Sequence, residues 1–459
     1  MREQARSGSL LTDSVWGLGH DGLQLVVTFA SFIVLGRKLG ADNYGAYLGM
    51  FGVIGPISGL TWGTYLAVLQ RALRERDDPR MVASSAVTYA LLMGIGAAAL
   101  ATVIGVLVIP TLDLASIVLI SVSELILFSA SYVSAALVQA SRGYAAASRV
   151  RIAIAPAKLI VLGVLLAFDA VSVRNVAMGS VIIFGLILVM LLVVVLPRYD
   201  IRPRPMVPSR ELVTTSLTFA LPMSAASVQS DGDKAVLNFY GMQGAAGLYG
   251  AAGRIVSVGM MPLRALDSAA FQRFLPHDPS LKGQHVRRTL KYCRLSLSLC
   301  AVIGVTLFFA APHLGFLLGP GFEGSESIIR WLTLYLPALA VSGAPLNGLL
   351  GLGKVRTRAA ISLSSGILSL GLYIALIPHL SWKGAVIGTI IGEVYLAVVG
   401  WAALIRAQRR FDSGVDVGPD ASAGSFGVGG DQRVDVEAAD LVEGSMVVTP
   451  SGADGSSTT

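Results

Sequence analysis

Charge is scarce in this chain. Asp, Glu, Lys and Arg make up 14% of its 459 residues, against about 25% in soluble globular domains. That deficit excludes a protein that folds with most of its surface in water. Cysteine is nearly absent: Cys293 and Cys300 stand alone, in one apolar stretch. On a helix rising about 1.5 Å per residue they lie roughly 10 Å apart, beyond disulfide reach. Both read as apolar filler. Aromatics are only 7% of the chain, a thin supply for a cavity that cages organic cations. Catalytic signatures are missing as well: no HExxH, CxxC or GxSxG occurs. "GLLGLGK" (Gly348 to Lys354) imitates a phosphate loop, but Val355 follows where Ser or Thr would hold Mg²⁺, and an apolar helix precedes it instead of a strand. No cofactor or metal is expected, and no enzymatic activity. The net charge of +7 does not indicate nucleic acid, because the basic residues are scattered through short loops rather than gathered on one face.

Apolar runs are abundant. Stretches of about 20 residues, the length that crosses a bilayer core, recur throughout. They predict an all-α polytopic membrane protein of about twelve spans: 13–37, 44–70, 82–109, 114–140, 150–168, 173–196, 211–239, 245–272, 289–317, 325–350, 357–378 and 383–405. The first run lacks a small-residue cleavage site and reads as a helix rather than a signal peptide. The loops between spans sort by charge. One alternate set holds 25 of the 35 basic residues, among them Arg71, Arg142, Arg204, Arg288, Lys354 and Arg409. The other set holds Arg37, Lys38, Arg174 and Lys383. By the positive-inside rule both termini face the cytosol. The expected organisation is a cytosolic N-terminus (1–12), a six-helix lobe (13–196), a cytosolic linker (197–210), a second six-helix lobe (211–406) and a Gly-, Ser- and Asp-rich tail (407–459). The tail buries too little apolar surface to order itself.

The two halves echo each other. "LGADNYGAYLG" follows the first span, with Gly40, Gly45 and Tyr47; "YGMQGAAGLYG" follows the seventh, with Gly241, Gly247 and Tyr249. Six is even, so both halves enter from one side, as in a parallel repeat about an axis along the membrane normal. In the second copy glycine recurs every third residue from Gly241 to Gly253. Without proline, and over five triplets, this is not collagen. It predicts a tight turn followed by a small-residue helix face at Gly247 and Ala251.

Ionisable groups inside spans are functional candidates. Lys158 and Arg330 are expected near span ends, where they snorkel. Arg264 and Asp267 are spaced to pair at i, i+3. Glu124, Glu393 and His20 also fall within spans. The seventh and eighth spans are richer. With a turn near Met242, Asp231 and Arg254 both sit roughly 16–18 Å from the tip, which predicts an Asp231–Arg254 pair. Asp231 is also spaced to pair with Lys234, leaving Asp233 as the least satisfied acid. The group reads either as a charge network stapling two helices or as a polar wall of a central cavity. Pro222 predicts a kink in the same span. Asp21, between Gly19 and Gly22 in the first span, faces either a cavity or a packed neighbour.

"SDGDKAVLNFYGMQGAAGLYGAAGRI" resembles the seventh-to-eighth helix signature of the polysaccharide (O-antigen type) flippases of the multidrug/oligosaccharidyl-lipid/polysaccharide exporter superfamily. The matching positions are Asp233, Leu237, Gly241, Gly247, Tyr249 and Ala251. "LGRKLGADNYGAY" is similar to that family's first hairpin, and the likeness covers roughly residues 10–405. It implies a flippase that carries a polyprenyl-diphosphate-linked oligosaccharide from the inner to the outer leaflet of a bacterial-type cell membrane by rocking two lobes. Arg254 is the leading contact for the diphosphate, and an ion gradient would be coupled through Asp233 or Asp21. The implied partners are the lipid-linked glycan, membrane lipid, and the glycosyltransferases or polymerase of the same pathway. A drug or metabolite antiporter of the same superfamily and a membrane-embedded glycan polymerase or ligase are the other readings. On the flippase reading, Asp233→Ala and Arg254→Ala each abolish export and leave the protein in the membrane.

Overall fold

A computed structural model describes residues 10–74, 79–274, 284–318 and 321–413. The tail beyond Ser413, the loop cations Arg2, Arg6, Arg76 and Lys282, and the side chain of Asp21 lie outside the described residues. All regular elements among the described residues are helical. In chain order they are α1 (Leu10–Arg74), α2 (Pro79–Val108), α3 (Leu114–Arg142), α4 (Tyr144–Ala167) and α5 (Val173–Arg198). An extended linker leads to α6 (Arg210–Phe239), α7 (Gln243–Gly259), α8 (Met261–Phe274) and α9 (His285–Leu318). Then come α10 (Ser325–Gly351), α11 (Val355–Leu380) and α12 (Trp382–Asp412).

Nine helices among the described residues are long and apolar enough to cross a membrane. Between 28% and 44% of each apolar window is buried in the protein. The remainder, such as Val103, Leu107 and Val193 at 60–69% exposure, is apolar surface suited to lipid and not to water. Two facts bring nine to the expected twelve. Gly40 leaves helical backbone at φ 72°, ψ 172° and divides α1 into two limbs, each long enough to span. The helix α6 has spanning length but is more polar than the nine, and α7 and α8 are each too short to span alone but reach spanning length together. The protein is thus an all-α, multi-pass membrane protein with two lobes.

Local chemistry sets the boundaries. Asp113 caps α3, accepting from the Ser116 N–H at 3.2 Å and its hydroxyl at 2.5 Å. Ser172 and Ser209 cap α5 and α6 in the same way. The linker before α6 is pinned to α2 by Ser84 and Thr88, whose hydroxyls accept from the Arg204 and Met206 amides. Pro156, a ring without an N–H, interrupts α4 between Ile154 and Ala157. At Pro222 the helical backbone of α6 continues on both sides. Cys293 and Cys300 are buried free thiols.

The lobes meet along the second limb of α1. Gly45 sits against α7 so closely that a Cβ there would overlap the Gln243 carbonyl and stand 2.7 Å from the Gly247 nitrogen. In return, Gly247 presses on the Ala41 carbonyl. The contact is reciprocal: each repeat's glycine touches the start of the other's helix, as a two-fold axis between the repeats requires. The row continues along α6, where a Cβ on Gly52 would lie 2.6 Å from the Asp231 carbonyl oxygen. Asn238 locks the register by donating to the Gly45 carbonyl at 2.9 Å. At the turn end of the bundle Tyr44 packs its ring edge on Phe322, and Lys38 bridges to Asp169 at 2.8 Å.

Candidate functional site

Two cavities are stacked along the second limb of α1. The first, about 120 Å³, lies towards the turn end, among the two limbs of α1, α4 and α5. The second, about 170 Å³, lies among the second limb, α3 and α6. Phe51, Phe128 and Arg254 line both. Their walls are largely aromatic and aliphatic, so the few polar groups stand out. Ser31 is buried at the first cavity, and its hydroxyl has no partner among the described residues.

Arg254 projects from α7, a helix of the second lobe, into cavities otherwise formed mainly by the first. It engages the Tyr44 hydroxyl and acts on the Asp231 carboxylate through its field. Among the described residues no carboxylate stands within ion-pair distance of it. The expected Asp231–Arg254 ion pair is therefore replaced. Lys234 takes Asp231 at 3.1 Å. The local i, i+3 pair needs no closure between helices, whereas Arg254 would have to reach across the cavity.

Asp233 is also not the unsatisfied acid that its spacing suggests. It is 2% exposed and lines neither cavity. Its carboxylate accepts from the Lys234 backbone N–H at 2.8 Å and from Nζ at 3.2 Å, and it is bonded to the Tyr249 hydroxyl. Lys234 Nζ donates further to the Ser230 carbonyl at 2.8 Å. Buried polar contacts continue through α11 and α12. Tyr373 donates to the Gln229 carbonyl, and Gln229 Nε2 donates to Glu393 at 2.9 Å. The Ser342 hydroxyl also bonds Glu393. Of the four residues singled out on these two helices, Asp231 and Arg254 face a cavity, while Asp233 and Lys234 sit in the packed interior.

Lys158 does not snorkel. Its helix starts at Tyr144 rather than at 150, which places Lys158 in the middle of the span. There Nζ meets Glu124 at 2.7 Å. Phe51, Phe128 and Phe184 surround it, with ring centroids 5.2, 5.8 and 5.9 Å away. Glu124 and Phe128 both lie on a π-helical turn of α3 (Val122–Phe128), a widened geometry frequent at functional positions. Asp267 is bonded to the Tyr292 hydroxyl and lies in the field of Arg264. At the far end of the second cavity Arg151 donates to Tyr65 at 2.5 Å and to Gln139 at 2.6 Å.

No protein-family model and no curated protein matches the chain. Solved structures do. The inward-facing conformation of a multidrug resistance MATE family transporter of the MOP superfamily superposes with a TM-score of 0.64 at 17% identity, covering 85% of this chain and 96% of that one. The outward-facing conformation of such a transporter gives 0.59 at 15% identity, covering 88% and 96%. A MOP superfamily transporter from Pyrococcus furiosus, described as having a binding pocket of reverse polarity, gives 0.61 at 14% identity, covering 87% and 95%. The chain has the fold of these transporters.

Proposed function

We propose that this chain is a membrane exporter working by alternating access, and that its cargo is a polyprenyl-diphosphate-linked oligosaccharide moved from the inner to the outer leaflet for surface polysaccharide synthesis. The observation that carries the reading is Arg254. A guanidinium from one lobe stands at the wall shared by two stacked cavities of the other. A planar, permanently charged fork recognises phosphate oxygens in pairs. Because the residue belongs to the opposite lobe, relative movement of the lobes would carry the bound headgroup from one cavity towards the other. The segregated loop charges support a cell-membrane location with both termini cytosolic. Glycosyltransferases or a polymerase of the same pathway would supply and consume the cargo. Of the two acids considered for coupling to an ion gradient, Asp233 and Asp21, the role is assigned to Asp21, because Asp233 is held in the packed interior.

A drug or metabolite antiporter is the second reading. It is favoured by the aromatic wall of the second cavity, where Trp62 packs on Tyr65 and Tyr132. A deletion strain separates the two. The flippase reading expects lipid-linked glycan to accumulate on the inner leaflet, restored by the wild-type chain and not by Arg254→Ala. Unchanged glycan export in the deletion strain, accompanied by new sensitivity to lipophilic drugs, would replace it with the antiporter reading.

A further inference from the structure

We propose that Lys158 is a built-in cation that fills an aromatic and carboxylate box in the first lobe, and thereby keeps lipophilic cations out of its cavity. Three phenyl rings and one carboxylate converging on one point form the arrangement that captures ammonium and other soft organic cations. Here Phe51, Phe128, Phe184 and Glu124 provide that arrangement, and the occupant is the protein's own Nζ. Glu124 is only 10% exposed, and its lysine 31%. The carboxylate is thus shielded, while the ammonium keeps a face towards the cavity.

Charge balance gives the box its consequence. Among the described residues the ionised groups at the two cavities are Lys158, Glu124, Asp231 and Arg254. Lys234 is shared by Asp231 and Asp233, Arg254 acts on Asp231 through its field, and Lys158 neutralises Glu124. These groups therefore carry no excess negative charge that would draw in a cation. Without Lys158 one carboxylate is left over, and it faces an empty ring of π-faces. One residue on α4 therefore separates a cavity closed to lipophilic cations from one suited to them. A lysine placed only for packing would not need a carboxylate at 2.7 Å and three ring faces together.

The inference builds on the cavity as the transport path, but its test reads binding and not export. Purified full-length protein is titrated with tetraphenylphosphonium by equilibrium dialysis. The wild type shows no saturable binding up to about 1 mM. Lys158→Met, which keeps the stem and removes the charge, binds at least about tenfold tighter, roughly 1.4 kcal/mol. Adding Glu124→Gln to it returns binding to the wild-type level. Equal binding by wild type and Lys158→Met, or tight binding that survives Glu124→Gln, overturns the proposal. If Lys158→Met does not elute as a folded species, Lys158→Gln takes its place with the same expectation. Loss of export in Arg254→Ala together with a failed titration would overturn this inference alone. A successful titration with unimpaired export in Arg254→Ala would overturn only the export reading.

Discussion

Lys158 and Lys234 are both lysines within spans paired with carboxylates, and they hold opposite positions in the molecule. Lys234 serves two acids, Asp231 and Asp233, and its side chain is 11% exposed. Its bonds are mostly to its own helix and close a packed interior. Lys158 serves one acid on another helix, is 31% exposed, and stands at a cavity wall. An intramembrane charge is thus not one kind of evidence. Whether it marks a staple or a site depends on how many of its bonds stay within its own helix and whether open volume lies beside it.

The largest effect that tests this contrast is Lys234→Met. It strands two carboxylates in a region where removing one partner of a buried pair costs about 3–5 kcal/mol. The expected outcome is a large drop in the melting temperature of the purified protein, with little chain recovered from the membrane. An unchanged melting curve would break the contrast. Asp233→Ala is expected to fail in the same way, through folding, although the sequence pattern assigns it to transport. Arg254→Ala should do the reverse: export is lost in a complementation assay, while stability changes by less than about 1 kcal/mol, as for a charge outside any ion pair. Lys158→Met falls between, at about 1–2 kcal/mol measured by thermal unfolding, because its pair is partly open to solvent. The smallest effect provides a control outside the membrane. Asp113 is held below the usual carboxylate range, first by the Ser116 hydroxyl and also by the Ser116 N–H and Arg174. A lowered folded pKa stabilises above the unfolded value and loses its contribution as pH falls through the folded one. Asp113→Ala should therefore cost about 1 kcal/mol at neutral pH. Its difference from wild type should shrink as the pH is lowered below 4 or so, followed by melting at successive pH values.

Much of the fold is legible in the sequence, because membrane spans announce themselves by length and by the charge of the loops between them. The echo of Gly40–Tyr47 in Gly241–Tyr249 marks the repeat, and both turns use a glycine at φ 72°. The candidate site is less legible. Asp231 has two cations within range by spacing, and only the structure shows that the local one holds it. Lys158 looks like a span-end residue because Arg149 and Arg151 suggest a loop just before it. Arg151 is in fact 6% exposed, satisfied by Tyr65 and Gln139, so the helix begins earlier and Lys158 moves to mid-span. The partners that permit this stand 86 and 12 residues away, and Glu124 comes from the same helix as Gln139. Neither periodicity nor composition carries that information.

The glycine row on the second limb of α1 also predicts how this sequence tolerates change. Gly45, Gly52 and Gly63 each face backbone of the opposite lobe at distances no Cβ can occupy. Side chains on the same limb that face elsewhere, such as Leu60 and Trp62, are not so confined. A saturation library across residues 44–66, sorted for correctly folded protein, should show intolerance as a helical stripe. Substitution even by alanine should be rejected along the seam, and broad apolar freedom should remain on the other faces. That stripe would be readable from the library's sequencing counts alone, as a fingerprint of where the two lobes touch.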